Sequence, residues 1–248
     1  MKTVTYAFTS PKLQDPVSLA LVTDLHACRY GEGQEELVKA VLAQKPDAVL
    51  LGGDIFDDRI PHTNAFVFLE KVASQVPCFY VSGNHEHRSG ELPQLKERLG
   101  AMGVTVLEGH RVSLTVGNTT LSLCGVDDPS HVGKTAFAEQ LRQAAAQCPD
   151  GDYTLLLSHR PELIEAYLSY GFDLILTGHA HGGQWRIPGL INGLFAPNQG
   201  LFPPYAGGLY TFEHSSMVVS RGLARETTLV PRLFNPPELV ILRLSPQG

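Results

Sequence analysis

Histidines and carboxylates recur in this chain in short clusters that suit metal-ion chemistry. Asp24-Leu25-His26 sets a carboxylate and an imidazole two residues apart, and Gly178-His179-Ala180-His181 repeats that spacing with two imidazoles. Asp54 follows Gly52-Gly53, where the backbone can turn tightly and approach other groups. Asn84 offers a neutral amide oxygen beside His85 and Glu86, and His159 supplies a further imidazole. Hard divalent cations want carboxylate oxygen, whereas Mn²⁺, Fe²⁺ and Zn²⁺ also accept imidazole. Ligands of both kinds, drawn from five segments, suggest a dinuclear site.

Each cluster follows a short apolar run, at residues 19–22, 48–51, 78–81, 154–157 and 174–176. Such runs read as buried strands. Polar groups at the carboxyl ends of parallel strands converge on one crevice, where open α/β sheets bind ligands. Residues 4–8 and 17–22 read as the first two strands. Apolar positions at helical spacing predict helices over 34–44 and 63–74, with a short one at 92–99. This alternation implies right-handed crossovers and parallel pairing. Val112, Leu114 and Val116, the Gly117-Asn118 turn, then Leu121 and Leu123, predict a hairpin with one wet face. A helix over 134–146 leads to the strand before His159, and Pro161 sits near the start of another short helix. After His181 the pattern is strand and loop, with strands expected at 209–213, 217–220 and 239–244. No repeat or linker interrupts the chain, so residues 1–248 read as a single domain. The fold class expected is α/β: two mixed sheets with helices outside, layered helix, sheet, sheet, helix.

Of the 248 residues, 43% are hydrophobic and 18% charged, with a net charge of −6. That balance permits a sizeable core and argues against a broad basic surface for nucleic acid. It leaves room for a phosphate substrate, because bound divalent cations invert the local potential. Cys28, Cys78, Cys124 and Cys148 form no CxxC pair and read as reduced thiols of a cytosolic chain. Cys78 and Cys124 sit in strand-like runs as small hydrophobes, and Cys28 is expected buried beside the first ligand loop. Residues 1–10 carry no apolar leader and no stretch has the length to span a bilayer, so a cytoplasmic location is expected.

In order along the chain, Asp24-Leu25-His26, Gly53-Asp54-Ile55-Phe56-Asp57, Gly83-Asn84-His85-Glu86, His159 and Gly178-His179-Ala180-His181 resemble the five signature blocks of the calcineurin-like metallophosphoesterase family. The run from Gly178 to Gln184, with Gly200-Leu201-Phe202-Pro203, Gly207-Gly208-Leu209-Tyr210, Ser220-Arg221-Gly222-Leu223 and Pro236-Pro237-Glu238-Leu239, is similar to a bacterial phosphodiesterase-type branch. Some members of that branch act on nucleotide-linked lipid precursors, and many carry an N-terminal membrane or export segment. Carried over position by position, the resemblance implies that Asp24, His26 and His181 hold a first ion. Asn84, His159 and His179 would hold a second, and Asp54 would bridge both. The implied cofactors are two divalent ions, Mn, Fe or Zn. Together they would clamp a phosphoryl group and activate a bridging hydroxide for in-line attack. His85 would hydrogen-bond the phosphoryl oxygen or protonate the leaving alkoxide.

The expectation is therefore a dinuclear metal-dependent phosphohydrolase that prefers phosphodiesters or pyrophosphates, as small molecules or linked to lipid. The alternatives are a phosphomonoesterase or nucleotidase of loose selectivity, and a metal-binding interaction scaffold without catalysis. Asp57 and Glu86 read as groups that orient ligands. Arg221 has two readings, a bidentate contact to substrate phosphate or a structural salt bridge; Arg29 and Arg160, which flank ligand positions, share the first. His62, His87, His110, His131 and His214 read as surface or satisfied histidines. The aromatic and proline-rich stretch 190–210 is either a loop packed over the sheet edge or a platform for an apolar substrate or the membrane periphery.

Overall fold

The computed structural model describes residues 1–187, 189–225 and 232–247. In chain order the strands and helices are β1 (Lys2–Ser10), β2 (Val17–Val22), α1 (Glu35–Leu42), β3 (Ala48–Gly52), α2 (Thr63–Ala73), β4 (Cys78–Val81), α3 (Asn84–Arg88), α4 (Leu92–Ala101) and β5 (Thr105–Val106). There follow β6 (His110–Val116), β7 (Thr119–Gly125), α5 (Pro129–Ala146), β8 (Tyr153–Leu157), α6 (Ile164–Leu168) and β9 (Leu174–Thr177). The remainder is β10 (Phe195–Ala196), β11 (Gly200–Leu201), β12 (Gly208–Thr211), β13 (Ser216–Val219) and β14 (Glu238–Pro246).

Two six-stranded sheets result, in the orders β1-β14-β2-β3-β4-β5 and β12-β13-β9-β8-β7-β6. Both are mixed. β2, β3, β4 and β5 pair in parallel, as do β7, β8, β9 and β13, while β14 runs antiparallel to β2 and the outer hairpins β6–β7 and β12–β13 are antiparallel. Parallel pairing turns the carboxyl ends of the central strands toward one rim.

Strand side chains alternate between faces, and the burial follows that alternation. Leu19 and Leu21 of β2, Leu50 of β3, Leu155 and Leu157 of β8 and Leu174 and Leu176 of β9 share one apolar layer between the sheets. Ala20, Val22, Val49 and Leu51 face the other way, against Leu37 and Val41 of α1, Phe66 and Leu69 of α2 and Leu95 and Leu99 of α4. On the second sheet, Leu156, Ile175, Met217 and Val219 face Phe137 and Leu141 of α5 and Ile164 and Tyr167 of α6. Three apolar layers thus separate four layers of structure. The uninterrupted apolar runs follow from burial on both faces.

Two local expectations need correction. β6 is a half-wet edge, but β7 is buried on nearly its whole length because α5 covers its outer face. Ser122 of β7 is enclosed there and is hydrogen-bonded to Asp152 at 2.6 Å and Arg111 at 2.9 Å. The helix expected from 134 begins at Pro129, capped by Asp128 Oδ1 accepting from the Ser130 amide at 2.8 Å, with a break at Gly133. Cys28, Cys78 and Cys124 are buried, as expected. No helix among the described residues is long and apolar enough to cross a membrane.

Candidate metal centre

The chemistry-bearing loops leave the carboxyl ends of strands from both sheets. Asp24 and His26 follow β2, Asp54 follows β3 and Asn84 follows β4; His159 and His179 follow β8 and β9 of the facing sheet. Asp24, His26, Asp54, His179 and His181 adopt positive φ angles of 49°, 48°, 51°, 65° and 48°. Few residues other than glycine go there, at a cost of about 1–2 kcal/mol each, and such backbone persists only where its surroundings over-determine it. Gly53, at φ 86°, lets two loops touch: a Cβ there would stand 2.6 Å from His159 Nδ1 and 2.8 Å from the Gly83 nitrogen.

Glu86 locks these loops together. Its buried carboxylate accepts from the backbone amides of Asp54, Ile55, Phe56 and Gly83 at 2.7–3.1 Å. Burial and the Asp54 charge nonetheless push its pKa up to about 7. Asp57 orients a histidine, with Oδ2 2.9 Å from His26 Nδ1. That contact also accounts for the approach of His26, Asp57 and His85 to one another.

The ligand atoms gather into two buried groups, Asp24, His26, Asp54 and His181 in one and Asp54, His159 and His179 in the other, with atoms in each within 4.8 Å of one another. Asn84 joins the second group. Whichever way its amide is turned, the inward atom lies 2.8 Å from His179 Nδ1, and the outward atom faces the Arg88 guanidinium. Without a cation the amide is satisfied with its NH₂ donating inward to His179 Nδ1 and its oxygen accepting from Arg88; the opposite orientation would offer an inward oxygen to a cation.

Two further observations fit cations. His26 Nε2 is buried without a hydrogen-bond partner among the described residues, 3.8 Å from Asp54 Oδ2, an arrangement that costs free energy unless something coordinates it. The donor set also leaves one ring nitrogen of each histidine facing inward. His26 Nδ1 is occupied by Asp57 and His159 Nδ1 by the Gly52 carbonyl at 2.9 Å, so both Nε2 atoms face the centre.

The electrostatics reflect crowding of charge in a dry space. Burial works against an Asp54 anion, but His159 and His26 hold its pKa well below the usual carboxylate range. Burial likewise opposes a charged His159, yet Asp54, Asp24 and Asp128 raise it to about 10. Burial and the neighbouring His159 and Arg160 charges lower His179 to about 3, and burial with His26 and Arg232 also keeps His181 low.

The centre opens on a cleft of about 280 Å³, walled by His85, Arg88, Ser130, Arg160, Pro197 and Asn198 among others. His85 Nδ1 lies 2.5 Å from Asp58 Oδ1, and its other ring nitrogen is 4.0 Å from Asp54 Oδ2. Burial disfavours a charged His85, but Asp57, Asp54 and Asp58 together raise its pKa. Arg160, itself buried, grips Asp128 through two bonds of 2.5 and 3.0 Å.

All seven expected ligands and His85 therefore come together. Arg221 does not reach the cleft walls. Its Nη1 pairs with the buried Glu238 at 2.8 Å and its Nη2 donates to the Gly207 carbonyl at 3.2 Å, the salt-bridge reading. The guanidiniums that line the cleft are Arg88 and Arg160. Asp58, Arg88 and Asn198 were not anticipated. Asp58 had a signal in its place beside Asp57; Asn198, in the turn between β10 and β11, had none. His62 is satisfied by the Asp57 carbonyl at 2.7 Å, and the His87 and His131 rings lie 5.4 Å apart, tilted by 51°, outside the candidate ligand groups.

A family model described as calcineurin-like phosphoesterase matches residues 17–183, which include every expected ligand position. A Helicobacter pylori protein named as an uncharacterized metallophosphoesterase is 30% identical over 241 residues, 96% of this chain and 62% of that protein. The chain thus spans about six-tenths of that relative's length. Phosphodiesterase YaeI of Escherichia coli is 30% identical over 235 residues, 92% of this chain and 82% of its own. Among solved structures, a 5'-nucleotidase precursor from Thermus thermophilus superposes with a TM-score of 0.54 at 15% identity, covering 85% of this chain and 50% of that one. A dimetal phosphatase from Danio rerio gives 0.54 at 14% identity, covering 85% and 88%. These two likenesses carry the fold: two mixed sheets flanked by helices. The motif order, the paired ligand groups and the matches along the chain agree, and the chain belongs to the calcineurin-like phosphoesterase family.

Proposed function

We propose that the chain is a dinuclear metal-dependent hydrolase of phosphate esters, acting on phosphodiesters or pyrophosphates. The observation that carries this reading is the sharing of Asp54 between two buried ligand groups at the floor of one cleft. Divalent cations there would supply Lewis acidity toward a phosphoryl group and lower the pKa of a bound water; the imidazole-rich donor set suits Mn, Fe or Zn. The protein's own groups do the rest. Asp54 and Asp24 bring the anionic charge that would hold the cations. His85 faces the cleft, steadied by Asp58, and donates a proton to a phosphoryl oxygen or to the departing alkoxide. Its retention with a carboxylate partner disfavours a non-catalytic scaffold.

The two guanidiniums on the cleft wall are already neutralised, Arg160 by Asp128 and Arg88 by Asp58. Arg232, whose Nη2 lies 3.5 Å from His181 Nδ1, is a further guanidinium beside the centre, so the preference for a diester rests on the family branch and not on charge balance. The name of the Escherichia coli relative agrees with this preference.

The surface beside His181 favours an apolar group on the substrate. Trp185, Ile187, Leu190, Phe195, Leu201, Phe202, Leu233 and Phe234 account for most of the exposed large hydrophobic side chains in the described residues. Several of them line an apolar hollow of about 250 Å³. A lipid-linked phosphodiester, met at a membrane surface, fits that wall.

The test is a comparison of bis-aryl and mono-aryl phosphates with metal-stripped protein to which Mn²⁺ or Ca²⁺ is returned. Mn²⁺ should restore turnover of the diester in preference to the monoester, and Ca²⁺ should restore it poorly, since Ca²⁺ prefers all-oxygen cages. Equal or better monoester turnover would favour the nucleotidase alternative. Full activity in excess chelator with no tightly held metal would reject the reading.

A further inference from the structure

β10 and β11 form a small hairpin, with Phe195 opposite Leu201 and Ala196 opposite Gly200, and Pro197, Asn198 and Gln199 at the turn. Asn198 adopts φ 61°, a region that asparagine tolerates better than most side chains. The turn reaches into the metal centre. Asn198 Oδ1 lies 2.9 Å from His179 Nε2 and accepts from Arg160 Nη1 at 2.6 Å. Arg160 Nη1 is itself only 3.1 Å from His179 Nε2. A guanidinium can only donate. With the proton on His179 Nε2, both of these groups are donors, and the amide oxygen is the acceptor on which they converge. The opposite ring nitrogen, Nδ1, lies 3.2 Å from His159 Nε2 and faces Asn84, inside the ligand group that includes Asp54.

We propose that Asn198 is a positioning residue for His179: its side-chain oxygen fixes the Nε2–H tautomer and ring orientation, leaving the Nδ1 lone pair aimed at the second ion. Ligating histidines commonly hold their other N–H to an oxygen acceptor, and the loss of that acceptor weakens the metal by about 10–100-fold. Here the acceptor arrives on a hairpin from a different part of the chain, and Arg160, held by Asp128, fixes where the oxygen stands. The same hairpin carries the exposed Phe195 and Leu201.

The inference rests on the dinuclear reading, and the test separates the two. Metal-free wild type, Asn198→Ala and Asn198→Asp are titrated with Mn²⁺ by calorimetry and with Co²⁺ by visible spectroscopy. Wild type should take up two ions. Asn198→Ala should retain the first and bind the second about 10–100-fold more weakly, with an altered Co²⁺ band at the second step. Asn198→Asp, which keeps an acceptor oxygen, should restore tight second-ion binding. Two ions held by Asn198→Ala as tightly as by wild type would overturn the role. So would equal weakening of both steps, or a lowered melting temperature with no rescue by Asn198→Asp, which would mark general support of the loop. Failure of wild type itself to bind two ions would remove the dinuclear reading instead.

Discussion

His159 Nε2 stands 3.1 Å from Asp54 Oδ2, and its Nδ1 donates to the Gly52 carbonyl 2.9 Å away, so both ring nitrogens face acceptors in a fully buried site. That arrangement favours the imidazolium. Burial opposes it, but Asp54, Asp24 and Asp128 outweigh burial and raise the pKa to about 10. In the metal-free protein a proton therefore stands where a cation would bind.

The first prediction follows from that competition. Near pH 7.5, Mn²⁺ binding should release about one proton from His159, detected by calorimetry in buffers of different ionisation enthalpy. Affinity should rise about tenfold per pH unit toward pH 10. The stability of the metal-free protein should move the other way. A histidine raised above its unfolded value of 6.5 contributes stability that is fully present below that value and is lost as pH rises through about 10. No proton release, together with a flat pH dependence of affinity, would refute the competition.

Adjacent carboxylates should separate in their effects. Asp57 is bonded to His26 at 2.9 Å and lies 3.5 Å from His85, whereas Asp58 lies 2.5 Å from His85. Asp57→Asn should weaken metal binding by about 10–100-fold through the loosened His26. Asp58→Asn should leave metal content near wild type and lower turnover. His85→Ala should do the same more strongly, by about 10²–10⁴-fold, the scale of general acid–base assistance. Metal analysis beside steady-state kinetics checks all three, and loss of metal in His85→Ala would make His85 a ligand rather than a proton donor.

The candidate ligands were legible because each is tied to local signals. A doubly buried strand writes itself as an apolar run, and the residue after its carboxyl end is the one delivered to the rim, as with Asp24, Asp54 and His179. The supporting groups were not legible, because their partners are chosen by the approach of distant loops. Nothing near Asn198 in sequence announces His179, and the pairing of Arg221 with Glu238 exists only because β14 returns beside β2. The wet face expected on β7 failed for a similar reason: alternation reports what a strand offers, and the later arrival of α5 decides what is covered. The start of α5 at Pro129 was missed because Gly133 breaks the helical spacing at its first turn.

The stretch 190–210 divides into two kinds of aromatic residue, and their substitutions should diverge. Phe195 and Phe202 are 48% and 64% exposed, whereas Tyr205 packs against the α5–α6 side of the core with its ring 5.2 Å from Tyr210. Phe195→Ser and Phe202→Ser should leave the melting temperature nearly unchanged, because little is lost from the core. For a lipid-linked phosphodiester they should raise KM by about tenfold, which corresponds to ~1.4 kcal/mol of apolar contact, while a small soluble diester is turned over as before. Tyr205→Ser should instead lower the melting temperature by about 2–4 °C per kcal/mol lost and affect both substrates alike. The contrast arises because a remote apolar contact can bind only the substrate that carries the apolar group, whereas a loosened core disturbs every substrate. Equal loss on both substrates in the two phenylalanine variants, measured beside thermal unfolding, would decide against the lipid-facing wall.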